Sequence, residues 1–189
     1  MRLVKIAVAS TGTTVGALRA NVDGALRMAH EQAAAGVTLG VFHEQLVGGY
    51  PSEDLVQWDT FVEAQRAELA RFAEKTAGHG TVFTIGLTVA HEAHRYNVAA
   101  VVHRGKVLGV VPKEKLPTYN VFYEARTFSS GPPYQEGRIW GDVPFGDVVF
   151  RLKPEYDTPW PVSFVVIVVV IAVSGVVLER RVRGVEVVA

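Results

Sequence analysis

The sequence predicts an α/β fold in which helices cover the outer face of a mixed β-sheet. Two observations lead to this prediction. Short apolar runs alternate with amphipathic helical stretches in the first part of the chain, which is typical of strand–helix–strand units. Later in the chain, strand-like runs follow one another with only short turns between them, which is typical of hairpins.

The first strand is predicted from the apolar run at residues 4–9, which reads as a buried strand, and the first helix from residues 17–35. The apolar residues of this helix recur at helical spacing; they are Leu18, Val22, Ala25, Leu26, Ala29 and Ala33. Gly36 is suited to end the helix, because glycine readily adopts the left-handed conformation found at helix ends. Residues 37–42 form the second predicted strand.

The second helix is predicted to begin at a capping box formed by Thr60 and Glu63 and to end before Gly78 and Gly80. Its inward-facing residues are predicted to be Val62, Leu69, Phe72 and Ala73. Four strand-like runs follow, at residues 82–87, 97–102, 106–111 and 148–152. The sequence His103-Arg104-Gly105 between two of these runs favours a tight turn, which predicts a hairpin.

Composition excludes several classes of function. The chain has 189 residues, 49% of them hydrophobic and 20% charged, which favours one folded domain over disorder. Its net charge of zero gives no electrostatic reason to expect a nucleic acid as partner. The sequence contains no cysteine, so these residues form no disulfide, thiolate metal site or cysteine nucleophile. No metal and no cofactor are predicted.

Residues 153–189 depart from the α/β pattern and are predicted to be a divergent hydrophobic tail. The run 162–178 has no charged residue, and it lies between Trp160 and a cluster of arginines, as in a membrane span. Its length is near the short limit for crossing a bilayer. Three interpretations stay open: a transmembrane helix that contacts the membrane, two buried strands with a turn at Ser174-Gly175, or the product of a disrupted reading frame.

Three segments carry the side chains best suited to catalysis. Glu44 directly follows a predicted strand, where burial is expected to raise its pKa and make it a general base. Lys113 follows another strand and is suited to stabilise an oxyanion. The third segment, residues 120–128, alternates aromatic residues with Glu124 and Arg126.

Each segment also has an ordinary structural interpretation. Glu44 is then a loop carboxylate, and Lys113 is a solvated surface lysine, with Lys115 as its competitor for any role. In the third segment, Glu124 and Arg126 then form a surface ion pair that contributes little to stability.

Together, these segments resemble the nitrilase (carbon–nitrogen hydrolase) superfamily, and more narrowly the glutamine amidase domain of glutamine-dependent NAD synthetases. The resemblance covers roughly residues 3–150. Its matching residues are Tyr50-Pro51-Ser52-Glu53-Asp54-Leu55, Arg95-Tyr96-Asn97-Val98-Ala99, Pro112-Lys113 with Leu116-Pro117-Thr118-Tyr119, and Phe122-Tyr123-Glu124.

The resemblance implies an incomplete αββα sandwich over residues 1–152, followed by the hydrophobic tail. It also implies a glutamate–lysine–cysteine mechanism. In that mechanism Glu44 is the general base, Lys113 supports the tetrahedral intermediate, and Glu124 positions the other two. Cytoplasmic location and homo-oligomers are implied as well, unless residues 162–178 span a membrane.

The resemblance further implies a pocket for glutamine whose walls include Tyr119, Phe122 and Tyr50. The expected function is glutamine amidohydrolysis that releases ammonia for NAD biosynthesis. Because the cysteine nucleophile and the synthetase domain are absent from these residues, the chain is expected to be inactive alone. The alternative is a truncated, non-catalytic pseudo-amidase that acts as a binding or membrane-tethered module.

Overall fold

The computed structural model describes residues 4–120, 122–131 and 136–146. The strands in these ranges are β1 (Ile6–Ala9), β2 (Leu39–Phe42), β3 (Val82–His91), β4 (His94–His103), β5 (Lys106–Pro112), β6 (Glu136–Ile139) and β7 (Val143–Gly146). The α-helices are α1 (Leu18–Ala34), α2 (Asp59–Lys75) and the single turn α3 (Glu124–Thr127). A 3-10 helix at Glu53–Gln57 precedes α2.

The strands form one mixed sheet in the order β1-β2-β3-β4-β5-β7-β6. The first three strands are parallel, and α1 and α2 connect them in sequence. Strands β3, β4 and β5 are successive antiparallel neighbours, while β7 runs parallel to β5 and antiparallel to β6. The predicted α/β fold with a mixed sheet is therefore confirmed.

Both long helices pack on the same core as the sheet. Phe72 of α2 contacts Phe42 of β2 and Phe83 of β3 edge to face, with ring centroids 5.9 and 5.7 Å apart. The side chains of Phe72 and Phe83 are completely buried, and each contributes about 1.5–3 kcal/mol through the burial of its apolar surface. Val22 and Ala25 of α1 belong to the same cluster. This packing fixes β2, the strand that precedes Glu44, against its neighbour β3.

The inward faces of the helices were predicted well. In α1 the residues Val22, Ala25, Leu26 and Ala29 are buried, and Gly36 follows the helix with a φ of +70°. In α2 all four predicted residues are buried. The predicted capping box is wrong, because α2 begins at Asp59, after Trp58, and has no side-chain cap. Arg95 binds both the Asp59 carboxylate and the Val56 carbonyl, so a tertiary contact fixes this helix start.

The hairpin at Arg104-Gly105 is confirmed, and both turn residues have a positive φ, as a two-residue turn of this kind requires. Strands β3 and β4 are longer than predicted. Polar residues had suggested ends at 87 and 97, but pairing continues from Thr88↔Asn97 to His91↔His94. Cross-strand pairing therefore extends the hairpin through residues that the apolar pattern alone does not assign to strands.

The first strand was wrongly predicted to be buried. β1 is the edge of the described sheet, and its side chains alternate between the helix-covered face and the opposite one. Ala9 faces the core, whereas Val8 is 80% exposed. β6 and β7 were not predicted, while the run predicted at 148–152 and the tail 153–189, including 162–178, lie outside the described residues. Where the structure describes the chain, none of its helices combines the length and the apolar character needed to cross a membrane.

Candidate active site

Glu44 lies in a tight loop directly after β2. The next residue, Gln45, has a φ of +51°, which is a left-handed conformation that few side chains adopt. The loop lies so close to β3 that a Cβ on Gly86 would come within 2.5 Å of the Gln45 nitrogen and 2.6 Å of the His43 oxygen. Glycine at position 86 therefore permits the approach that places Glu44 at the end of the sheet.

The side chains of Lys113 and Glu124 approach Glu44 from the segment that follows β5. Lys113 directly follows β5, and its backbone N–H donates to the Asn97 carbonyl at 2.8 Å. Glu124 is the first residue of α3, and its backbone N–H donates to the Pro117 carbonyl at 3.2 Å. Backbone hydrogen bonds thus anchor both side chains where they converge on Glu44.

The ammonium group of Lys113 lies between two carboxylates. Its Nζ donates to Glu44 Oε1 at 2.8 Å and to Glu124 Oε1 at 3.1 Å, and it lies 2.9 Å from Glu124 Oε2. Exposure differs across the cluster: the side chain of Glu124 is 5% exposed, that of Lys113 28% and that of Glu44 46%. Glu44 is therefore the carboxylate most accessible to a ligand, whereas Glu124 contacts the lysine from the buried side of the cluster.

The electrostatics of the cluster correct one prediction. Burial by itself raises the pKa of Glu44, as predicted, but hydrogen bonds from Lys113 and Asn97 and the charge of Lys113 outweigh it. The pKa of Glu44 is consequently lowered from its ordinary value of 4.5. Burial likewise acts to lower the pKa of Lys113, yet its bonds to both carboxylates and their charges raise that pKa. Near neutral pH, Glu44 is an ionised proton acceptor beside a fixed positive charge.

The ordinary interpretations of Lys113 and of the Glu124–Arg126 pair do not hold. Lys113 is paired and partly buried, whereas its competitor Lys115 is 90% exposed and pairs with the neighbouring Glu114. Arg126 does not pair with Glu124; its guanidinium lies 3.8 Å from Asp54. The cluster therefore contains Lys113 and not Lys115, and Glu124 pairs with Lys113 and not with Arg126.

Two of the three aromatic residues predicted to form a pocket lie around the buried carboxylate of Glu124. Tyr50 and Phe122 line a cleft of about 580 Å³ together with Glu124, and the Tyr50 hydroxyl donates to Glu124 Oε1 at 3.4 Å. Burial and the charges of Glu124 and Glu44 raise the pKa of Tyr50, so its hydroxyl remains a donor. Tyr119 packs edge to face on Phe122, with ring centroids 5.7 Å apart, and is 64% exposed. It lies beside the cleft and is not among the residues that line it.

Sequence reasoning missed the buried polar residues behind Glu44. Asn97 donates from Nδ2 to Glu44 Oε1, and its Oδ1 accepts from Gln45 Nε2 at 2.8 Å. The available signal was a pair of polar residues, Thr88 and Asn97, within apolar strands, which face each other across the hairpin. Across the described part of the chain, there is no group of three or more His, Cys, Asp or Glu suited to bind a metal ion.

Comparison with known sequences identifies relatives for most of the chain. It is 39% identical over 150 residues to a glutamine-dependent NAD(+) synthetase from Mycobacterium tuberculosis, an alignment that covers 78% of this chain and 22% of the relative. A second such synthetase, from Thermotoga maritima, is 35% identical over 131 residues, which cover 69% of this chain and 23% of that protein. The chain thus spans about a fifth of the length of the curated relatives it matches. No family profile matches it.

Comparison with solved structures gives the same relationship. A glutamine-dependent NAD(+) synthetase from Cytophaga hutchinsonii superposes with a TM-score of 0.75 at 27% identity, over 79% of this chain and 26% of that one. An amidase from Nesterenkonia sp. superposes with a TM-score of 0.59 at 20% identity, over 72% of this chain and 51% of that one. At this lower identity the second comparison is evidence of a shared fold alone.

Proposed function

Because this chain belongs to the family of the glutamine-dependent NAD(+) synthetases, we propose that it carries the charged part of a glutamine amidohydrolase site. The observation that most supports the proposal is the position of Lys113 Nζ, 2.8 Å from Glu44 Oε1 and 2.9 Å from Glu124 Oε2. The proposal concerns the amide-handling site, since the chain spans 22% of the relative from Mycobacterium tuberculosis.

The three charged residues have different roles in the proposed site. Glu44 is the general base: it is ionised, half-exposed and within reach of a bound ligand. Lys113 stabilises the negative charge that develops on the carbonyl oxygen of an attacked amide. Glu124, almost completely buried, balances the charge of Lys113 and limits its side chain to one position. This division follows from the gradient of exposure across the cluster.

The substrate is proposed to enter beside the aromatic residues. The cleft lined by Tyr50 and Phe122 leads to Glu124, and Tyr119 extends the aromatic surface outward from Phe122. Apolar walls with a few polar groups at one end are typical of pockets for small molecules. They suit the aliphatic part of a glutamine side chain, with its amide directed to the charged end.

A second candidate function follows from the absence of cysteine. A thioester route needs a thiol to attack the amide carbon, and none of the 189 residues is a cysteine. A serine hydroxyl is a much weaker nucleophile unless a dedicated base activates it. This composition favours a site that binds the amide of glutamine without hydrolysing it, as in a pseudo-amidase. Hydrolysis then depends on a thiol from outside these residues.

Binding and hydrolysis can be separated in one experiment on the full chain. Glutamine binding is measured by saturation-transfer NMR, and ammonia release is measured in the same samples. We expect glutamine to bind, Lys113→Met and Glu44→Gln to weaken this binding, and Lys115→Met to leave it unchanged. No ammonia release is expected. Ammonia release that depends on Glu44 would show that this chain hydrolyses glutamine without a thiol. Failure of glutamine to bind would refute the proposed site.

A further inference from the structure

Glu44 is held by a chain of buried polar side chains that leads inward from the site. Thr88 Oγ1 donates to Gln45 Oε1 at 2.9 Å, Gln45 Nε2 donates to Asn97 Oδ1 at 2.8 Å, and Asn97 Nδ2 donates to Glu44 Oε1. Gln45, Thr88 and Asn97 are all buried. The backbone N–H of Thr88 is itself bound by Gln65 Oε1 of α2 at 3.0 Å.

The donor and the acceptor of each hydrogen bond in this series of side chains follow from the negative charge of Glu44 at its outer end. An ionised carboxylate only accepts hydrogen bonds, so Asn97 must present its NH₂ group to Glu44. Its oxygen then faces Gln45, which must present an NH₂ group in turn, and the Gln45 oxygen needs the hydroxyl proton of Thr88. Rotating the side-chain amide of Asn97 or Gln45 by 180° would place two acceptors against each other in the protein interior. Polar groups without hydrogen-bond partners are strongly unfavourable there.

Asn97 also holds the lysine, through a different group. Its backbone carbonyl accepts the Lys113 N–H at 2.8 Å, while its side chain binds Glu44. One residue of β4 therefore touches both the proposed base and the backbone of the proposed electrostatic group. Asn97 therefore constrains the positions of both Glu44 and Lys113.

We propose that Asn97 is a positioning residue for Glu44, and that Gln45 and Thr88 fix the direction of its amide. This inference rests on the proposed function, because it assigns Glu44 the role of base. Three buried polar side chains, two in the β3–β4 hairpin and one in the loop after β2, are difficult to explain by packing alone. They are explained if their purpose is to hold one carboxylate oxygen toward Lys113 and leave the other free for a ligand.

The test is the pH titration of the Glu44 carboxyl carbon by ¹³C NMR in the full chain. Its signal is identified by its absence from the spectrum of Glu44→Gln. In Asn97→Leu the donor is lost, and Glu44 is expected to bind its proton about tenfold more tightly, as loss of one hydrogen bond to a charged group implies. Thr88→Val replaces the hydroxyl with a methyl group of similar size and should shift the titration in the same direction by a smaller factor. Thr88→Ser keeps the hydroxyl and should titrate like the parent chain.

Lys113, Glu124 and Tyr50 also face Glu44 and are unchanged in every variant. Ile139→Val, a core variant in β6 at the opposite edge of the sheet from β1 and β2, controls for lost stability and should leave the titration unchanged. If Asn97→Leu does not fold, the comparison of Thr88→Val with Thr88→Ser decides the question. Identical Glu44 titrations in these two variants would overturn the proposal.

The titration needs neither glutamine nor ammonia, so its failure is distinguishable from failure of the proposed function. A shifted titration in a chain that binds no glutamine supports the positioning role and refutes the amide site. An unshifted titration in a chain that binds glutamine supports the amide site and refutes the positioning role.

Discussion

Lys113 Nζ donates a hydrogen bond of 2.8 Å to Glu44 Oε1, across 69 residues of sequence. The same ammonium group lies 2.9 Å from the buried carboxylate of Glu124. A single positive charge therefore separates two negative ones, and the cluster has a formal charge of −1 when all three groups are ionised. This arrangement links the stability of the loop after β2 to the protonation of the site.

Removal of the cation should destabilise the chain. In Lys113→Met the aliphatic stem is largely preserved, but Glu124 remains buried without its counter-charge. We expect the free energy of unfolding at pH 7 to fall by about 1–3 kcal/mol, measured by urea denaturation. Lys115→Met removes an exposed lysine two residues away and serves as the matched control, with no measurable change expected. Equal losses in the two variants would contradict this account of the cluster.

Glu44 should give the stability a recognisable pH dependence. Its pKa in the folded chain is below the ordinary value of 4.5, so the stability it contributes is present above that value and lost as pH falls through the folded pKa. The pKa of Lys113 is raised, so its contribution is complete below 10.5 and lost only as pH rises through the folded pKa. Glu44→Gln should therefore lower the urea midpoint at pH 7 and have a diminishing effect below pH 4.5. Parallel pH profiles for the two chains would exclude this linkage.

Gly86→Ala should disturb the site without altering any charged residue. The new methyl group would meet the backbone of His43, Glu44 and Gln45 at 2.5–2.8 Å, and backbone yields less readily than a flexible side chain. Overpacking of this kind destabilises a protein by about 1–3 kcal/mol. We expect that loss in urea denaturation, together with changed NMR shifts at Glu44. Gly78→Ala, where a methyl group meets no atom within 4 Å, is the matched control and should preserve both.

Gly24→Ala should stabilise the chain. Gly24 lies within α1, and a Cβ there would have Arg27 Nη2 as its nearest neighbour, at 3.8 Å. Alanine restricts the unfolded chain more than glycine does and favours helix by about 0.5–1 kcal/mol. The thermal midpoint should rise accordingly, and a lower midpoint would indicate that α1 is packed more tightly there than the contact distance implies.

How much the sequence predicts depends on how local the relevant interactions are. Helix faces such as Leu69 and Phe72, and the turn at Arg104-Gly105, follow from short-range periodicity and turn chemistry, and these predictions were confirmed. The lowered pKa of Glu44 was not predicted, because it depends on Lys113 and on Asn97, 69 and 53 residues away. The predicted start of α2 was wrong for the same reason, since Arg95 of β4, distant in sequence, bonds to the beginning of this helix.

The family resemblance supplied what periodicity does not. Glu44 and Lys113 were singled out by their positions after predicted strands, and the resemblance assigned roles to them and to Glu124; in the structure both carboxylates contact Lys113. Their catalytic roles stay predictions. Asn97 lay within a matching segment without being selected, because a single asparagine in a strand gives no indication of the direction in which it points.

The separation along the chain of Glu44 from its partners has a consequence for the order of assembly. The β3–β4 hairpin closes over a turn of two residues, whereas the contact between Glu44 and Lys113 joins residues 69 positions apart. Closing the longer loop costs more entropy, so we expect the hairpin to form early and the charged cluster to form late. Interactions that are absent from the folding transition state act on the unfolding rate. Variants of Lys113 should therefore unfold faster while refolding at the parental rate, which makes the site a reporter that folding is complete.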